Sequence, residues 1–366
     1  MIHGHGGNIY ALARRLGCNP ADIVDMSSNI NPLGMPPGLA EALKDQLSAA
    51  GLLPEVDGRS MIERMADLLG VAAERMLAGN GTTQFIYSIC PALGASKVLI
   101  VGPTYADYGD ACRMYGIDPQ VFLLDPEEAF RFDGKKFSRR AAGCDTVIIC
   151  NPNNPTAGLI DADQLRHLCR MHADVRFVID ESYLPFVPDA YAATMAGCGL
   201  DNVIVLWSAS KIFSLPGLRA GFLIASGPIR ARFAHYQQPW CVNSLAQAAM
   251  QYLAERKAQT LGFIQQTRVF LERERRLFQQ RLASCSDLHL YPSTTSYFLM
   301  RLPRSLKADA FCDQLARQKL LIRDCSNFFG LSDRFVRVAL KSSEVNRMAA
   351  DRLAAAVATQ AAAPSA

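Results

Sequence analysis

A chain of 366 residues, half of them apolar, can bury a large core and is long enough for one large domain and a smaller one. Its 38 basic and 34 acidic residues give a formal net charge of +4 with no long run of one sign, which argues against nucleic acid as a partner. The 11 cysteines are scattered without a C-x-x-C pair, a usage that fits reduced thiols in a cytoplasmic protein better than a secreted disulfide framework, and no metal is expected. The first eight residues lack the basic and apolar regions of a secretion signal, and no apolar run is long enough for a bilayer, so neither export nor a membrane partner is expected.

In chain order, an N-terminal arm over residues 1–35 precedes a region in which strands and helices alternate. Short apolar runs at residues 98–101, 147–150, 177–179, 203–206 and 221–224 read as buried strands, and segments between them, such as 163–172, carry helical spacing. This alternation predicts an α/β fold, a mostly parallel sheet flanked by helices, over residues 36–245. Residues 244–283 are helical with Gln, Arg and Glu on one face, and residues 246–283 are assigned as a bridge between two domains. Strand candidates at 296–302, 320–323 and 335–340, interleaved with helical 308–319 and 344–357, predict a small α+β domain over residues 284–366. The Ala-rich end extends the last helix and then frays.

In open parallel sheets ligands sit beyond the carboxyl ends of the strands, so polar residues that follow the apolar runs are the first candidates for a site. Lys211 follows such a run within Ser208-Ala209-Ser210-Lys211. Taken alone it is a lysine at a helix start, but a desolvated amine near another cation, here Arg219 eight residues on, becomes a nucleophile toward an aldehyde. Asp180 ends a second run. A capping aspartate is the plain interpretation; the sharper one is a buried carboxylate that keeps a pyridinium protonated, as pyridoxal 5'-phosphate (PLP) requires of its protein. Tyr183 could then reach the ring hydroxyl.

Gly79-Asn80-Gly81-Thr82-Thr83 resembles half of a dinucleotide fingerprint, but Gln84 replaces the third glycine and no strand is expected directly before it, so a nicotinamide cofactor is disfavoured. Free backbone N–H groups at a helix start around Gly81, with the Thr82 and Thr83 hydroxyls nearby, suit a single phosphate, with Ser208, Ser210 and Arg219 completing the cup. Tyr105 offers a ring to stack on the pyridine, and Asn151 an amide for its phenolic oxygen.

The ordered set Asn151-Pro152-Asn153-Asn154-Pro155-Thr156, Asp180-Glu181-Ser182-Tyr183 and Ser208-Ala209-Ser210-Lys211 with Arg219 resembles the fold-type I PLP aminotransferase superfamily. Within it, His5-Gly6-Gly7-Asn8, Ser28-Asn29-Ile30-Asn31-Pro32-Leu33-Gly34, Pro239-Trp240-Cys241-Val242-Asn243 and Val336-Arg337-Val338 resemble the L-threonine-O-3-phosphate decarboxylase family of cobalamin biosynthesis, close to the histidinol-phosphate aminotransferases. The resemblance implies a homodimer, Lys211 as the catalytic amine that holds PLP, and Asn151, Asp180 and Tyr183 on its ring. It implies Arg323 and Arg337 on the anionic groups of a small phosphorylated amino acid, with His5, Asn8 and Asn31 as further substrate ligands. Decarboxylation is the expected reaction and transamination the alternative, since the cofactor motifs are common to both. One departure stands out: relatives usually carry a tyrosine where Leu53 precedes Pro54, which puts a contact between subunits in question.

Overall fold

The computed structural model describes residues 6–361. The helix Ile9–Leu16 is started by Asn8, whose side chain accepts from the Ala11 N–H, and is stopped by Gly17 in the left-handed conformation. Strand β1 (Val24–Asp25) follows. Seven strands then build the central sheet: β2 (Met76–Asn80), β3 (Val98–Gly102), β4 (Gln120–Leu123), β5 (Thr146–Cys150), β6 (Arg176–Asp180), β7 (Val203–Ser208) and β8 (Ala220–Ile224). Their order is β2-β8-β7-β6-β5-β3-β4, parallel except that β8 runs antiparallel to both of its neighbours. The uninterrupted apolar runs of β3, β5 and β7 are buried along their whole length, as expected where helices cover both faces of a sheet.

The long helical stretch divides at Arg256 into Ser244–Glu255 and Lys257–Leu282. Strands β9 (His289–Leu290), β10 (Tyr297–Arg301), β11 (Leu320–Leu321), β12 (Arg323–Asp324) and β13 (Phe335–Ala339) come next. Four of them form an antiparallel sheet in the order β12-β13-β10-β9, with the helices Ala308–Ala316 and Ser343–Ala361. β11 instead pairs in parallel with β1, and Leu12, Ala13 and Ile23 pack on Ala316, so residues 9–25 are fastened to the C-terminal part of the chain.

Two expectations need correction. β2 directly precedes the Gly81 helix start; Met76, Leu77 and Ala78 make too short an apolar run to show as a strand, and pairing along β8 supplies what the run lacks. The strand expected over 320–323 is two short strands on different sheets, one on β1 and one on β13.

Candidate active site

The carboxyl ends of β3, β5, β6 and β7 open onto a cavity of about 250 Å³ whose lining includes Tyr105, Cys150, Asp180 and Ser208, each at or just beyond one of those ends. The antiparallel strand β8 shapes one end of it. Register places Ser208, Gly221 and Gly79 in one row across β7, β8 and β2, so the chain after β7 and the chain after β2 meet around Gly221. A β-carbon on Gly221 would lie 2.4 Å from the Thr82 nitrogen; only glycine lets the helix start approach. Gly81 has a φ of 68° and donates its N–H to the Arg219 carbonyl at 2.9 Å, while Arg219 Nη2 donates to Thr83 Oγ1 at 3.4 Å. Gly81, Thr82, Thr83, Ser208, Ser210 and Arg219 thus ring one end of the cavity, but the Gly81 N–H is spent on Arg219 and is not free for a phosphate as expected. Ser210 Oγ is buried without a hydrogen-bond partner there, an atom that calls for a ligand.

Lys211 lies on the short helix Ala209–Ile212, capped by Ser208, and is half-buried at the cavity wall. Burial first, then the charges of Arg337 and Arg219, push its pKa down to about 8, and Asp180 opposes them. Asp180 is 4% exposed; its Oδ1 accepts the Ser182 N–H at 2.9 Å and its Oδ2 accepts the Tyr108 hydroxyl at 2.8 Å. Burial raises the Asp180 pKa, and those two bonds with the charge of Lys211 act against the rise. Tyr105 stands edge-on to Tyr108, with ring centroids 5.8 Å apart. The Tyr183 hydroxyl accepts from Asn29 Nδ2 at 3.3 Å, and burial pushes its pKa up to about 12.

Two arginines close the far side. Arg337, on β13, is 5% exposed, bonded through Nη1 to Asn154 and through Nη2 to the Ser27 carbonyl at 2.7 Å, with its guanidinium over the Tyr297 ring and its Nε without a partner. Arg323, on β12 directly opposite Arg337 in the register, donates to Asn327 at 2.7 Å and lies over Phe328. Burial lowers its pKa.

Three expected ligands lie elsewhere. Asn151 bonds both ways with the Ile160 backbone, at 3.1 and 2.7 Å, and so fixes its loop instead of facing the cavity; Asn154 of the same motif lines it. Asn31 spends its amide on the Ile212 carbonyl and Thr267 Oγ1, and Asn29, two residues earlier, lines the cavity with its Oδ1 unpartnered. Asn8 caps its helix and borders a neighbouring groove. His5 lies outside the described residues. Sequence reading also missed Tyr108, which lies on the helix Asp107–Met114 that follows the Tyr105 loop and reaches Asp180 from there.

An amine of lowered pKa, a buried carboxylate and a phosphate cup stand around one cavity with unpartnered polar atoms, a donor set that fits PLP. The model of the class I and II aminotransferase family matches residues 21–353. The chain belongs to this family. Its cofactor is PLP. Among family members, the chain is 32% identical to the threonine-phosphate decarboxylase of Salmonella typhimurium, over 96% of this chain and 95% of that protein. The crystal structure of L-threonine-O-3-phosphate decarboxylase from Porphyromonas gingivalis superposes with a TM-score of 0.80 at 29% identity, covering 90% of this chain and 98% of that one. The histidinol-phosphate aminotransferase of Clostridium acetobutylicum gives a TM-score of 0.84 at 26% identity, covering 91% and 99%. All have the fold-type I architecture expected from the motifs.

Proposed function

We propose that this chain is the threonine-phosphate decarboxylase of a cobalamin pathway, converting L-threonine O-3-phosphate to (R)-1-aminopropan-2-yl phosphate. The observation that carries the reading is the pair Arg337 and Arg323, neighbours across β12 and β13, both facing the cavity. With the cofactor phosphate assigned to the cup at the other end, two guanidiniums remain for a substrate with one carboxylate and one phosphate. The similarity to named decarboxylases supports the same reading.

Bound PLP supplies an electron sink for the pair left when a bond to Cα breaks. The chain's own residues do the rest. Thr82, Thr83, Ser208, Ser210 and Arg219 would hold the cofactor phosphate, and Asp180 would keep the proton on the ring nitrogen. Tyr183 and Asn154 would face the ring, with Asn154 replacing Asn151 in that role. Lys211, with a pKa of about 8, keeps part of its amine neutral near neutral pH. When not bonded to the cofactor, Lys211 in its ammonium form would stand beside the cavity as the donor of a proton to Cα. Arg337 and Arg323 decide which bond of Cα is presented for cleavage, and with it decarboxylation over transamination.

We place a large cofactor-binding domain over residues 36–245 and a smaller one over 284–366, in a homodimer located in the cytoplasm. Among the described residues no helix is long and apolar enough to cross a membrane. The test is to incubate the PLP-loaded protein with L-threonine O-3-phosphate and no keto acid, with Lys211→Ala as control. Carbon dioxide release that vanishes in the control is expected. No release, together with glutamate formation from histidinol phosphate and 2-oxoglutarate, would move the chain to the aminotransferases.

A further inference from the structure

One wall of the cavity is the turn that contains Ser27, Ser28 and Asn29. Three successive carbonyls of this turn are held by alternate residues of β13 and its extension. Met26 O accepts the Ala339 N–H at 2.8 Å, Ser27 O accepts Arg337 Nη2 at 2.7 Å, and Ser28 O accepts Lys341 Nζ at 3.2 Å. From the other side the Asp25 carboxylate accepts the Ser27 N–H at 2.8 Å, the Ser27 hydroxyl at 2.7 Å, the Ser28 N–H at 3.3 Å and the Ser28 hydroxyl. The turn therefore has little freedom of its own. It presents Asn29, 3% exposed, with its amide nitrogen on the Tyr183 hydroxyl and its Oδ1 unpartnered in the cavity.

Lys341 is the one tether among the three that is neither backbone nor part of the cavity lining. Lys341 is half-buried; burial lowers its pKa, the Asp25 carboxylate opposes that shift, and Nζ donates to the Ser28 carbonyl. A hydrogen bond from a charged donor is stronger than one from a neutral donor, which makes this tether worth more than the backbone bond beside it.

We infer that Lys341 is a positioning residue for substrate: by holding the Ser28 carbonyl it fixes the Ser27–Asn29 wall to the strand that carries Arg337. The wall and the substrate-facing arginine then keep one spacing, and Lys341 itself touches neither substrate nor cofactor. The inference rests on the proposed reading of the cavity as a site for a phosphorylated amino acid.

The test uses the PLP-loaded full chain with Lys341→Met, which keeps the stem and removes the donor, and Lys341→Arg, which restores a cationic donor. For L-threonine O-3-phosphate, KM is expected to rise about tenfold in Lys341→Met, the scale of one charged hydrogen bond, with kcat within about threefold. Lys341→Arg should return KM to within about twofold of the parent, and urea midpoints should stay together. An unchanged KM in Lys341→Met, an equal rise in both variants, or a loss confined to kcat would each overturn the inference. Should Lys341→Met fail to fold, Lys341→Gln, too short to reach the same carbonyl, takes its place with the same expectations. A parent protein that releases no carbon dioxide would sink the proposed function alone. The tether is then read by titrating the visible absorbance of bound PLP with histidinol phosphate: weaker binding in the Met variant, restored in Arg, supports it, and equal binding refutes it.

Discussion

Lys211 illustrates how a single side chain acquires reactivity from its surroundings. The amine is desolvated by its surroundings, and Arg337 and Arg219 add positive charge that disfavours the ammonium, so its pKa is pushed down to about 8 from the ordinary 10.5. Capture of PLP by the apo-protein should therefore speed up as pH rises, with half of the maximal rate near pH 8, because below that value the amine is protonated and not nucleophilic. Borohydride trapping across pH 6 to 10 measures this, and Lys211→Ala should trap only what exposed lysines give. A midpoint near 10 would mean that burial is not felt by the amine. At this scale the sequence was informative where chemistry is tied to a strand end, as for Asp180 and Lys211. It was misleading for the asparagines. Asn151 and Asn154 share one motif, and Asn29 and Asn31 another, and only packing decides which amide turns to the cavity and which is consumed by Ile160 or Ile212.

At the scale of elements, the strand runs were legible because a parallel sheet covered on both faces needs uninterrupted apolar residues. β2 escaped notice because an antiparallel neighbour, not its own composition, holds it. That same pairing makes Gly221 a sensitive position. In Gly221→Ala the added methyl would meet the Thr82 nitrogen at 2.4 Å and push the helix start away from β8. Overpacking of this kind should cost about 1–3 kcal/mol of stability, and weaken PLP binding more than tenfold because the cup itself shifts. Urea unfolding and a PLP titration separate the two effects.

Glu181 is the second element-level case. It follows Asp180 at the end of β6, accepts the Met195 N–H and the Thr194 hydroxyl, both at 2.6 Å, and so pins the segment beyond the helix Ala190–Ala193. Burial raises its pKa from 4.5 to about 7. A folded-state pKa above the unfolded one means that the native state binds the proton more tightly. The contribution to stability is full below about pH 4.5 and is lost as pH rises through about 7, a difference of order 3 kcal/mol. Glu181→Gln should remove that part of the pH dependence, seen as a smaller loss of urea midpoint between pH 5 and pH 8 than in the parent. An identical pH profile in the two proteins would show that Glu181 does not titrate in this range.

For the whole molecule, the surface near the cavity-forming elements carries apolar side chains that a single chain leaves in water. Leu52 is 72% exposed, Leu53 77%, Val56 53% and Trp240 48%. They are close neighbours, since the Trp240 N–H donates to the Val56 carbonyl at 2.9 Å and Ser244 Oγ donates to the Leu52 carbonyl. In the homodimer proposed above, a cluster of exposed apolar side chains of this kind is the patch expected to be buried against a second copy. Light scattering should then give about twice the 40.0 kDa of one chain. Leu53→Glu together with Trp240→Glu should move the mass toward that of one chain without unfolding it, because both side chains are solvent-facing in the single chain. Parent protein that scatters as a monomer, or a double variant that stays dimeric, would show that this patch is not where two copies meet.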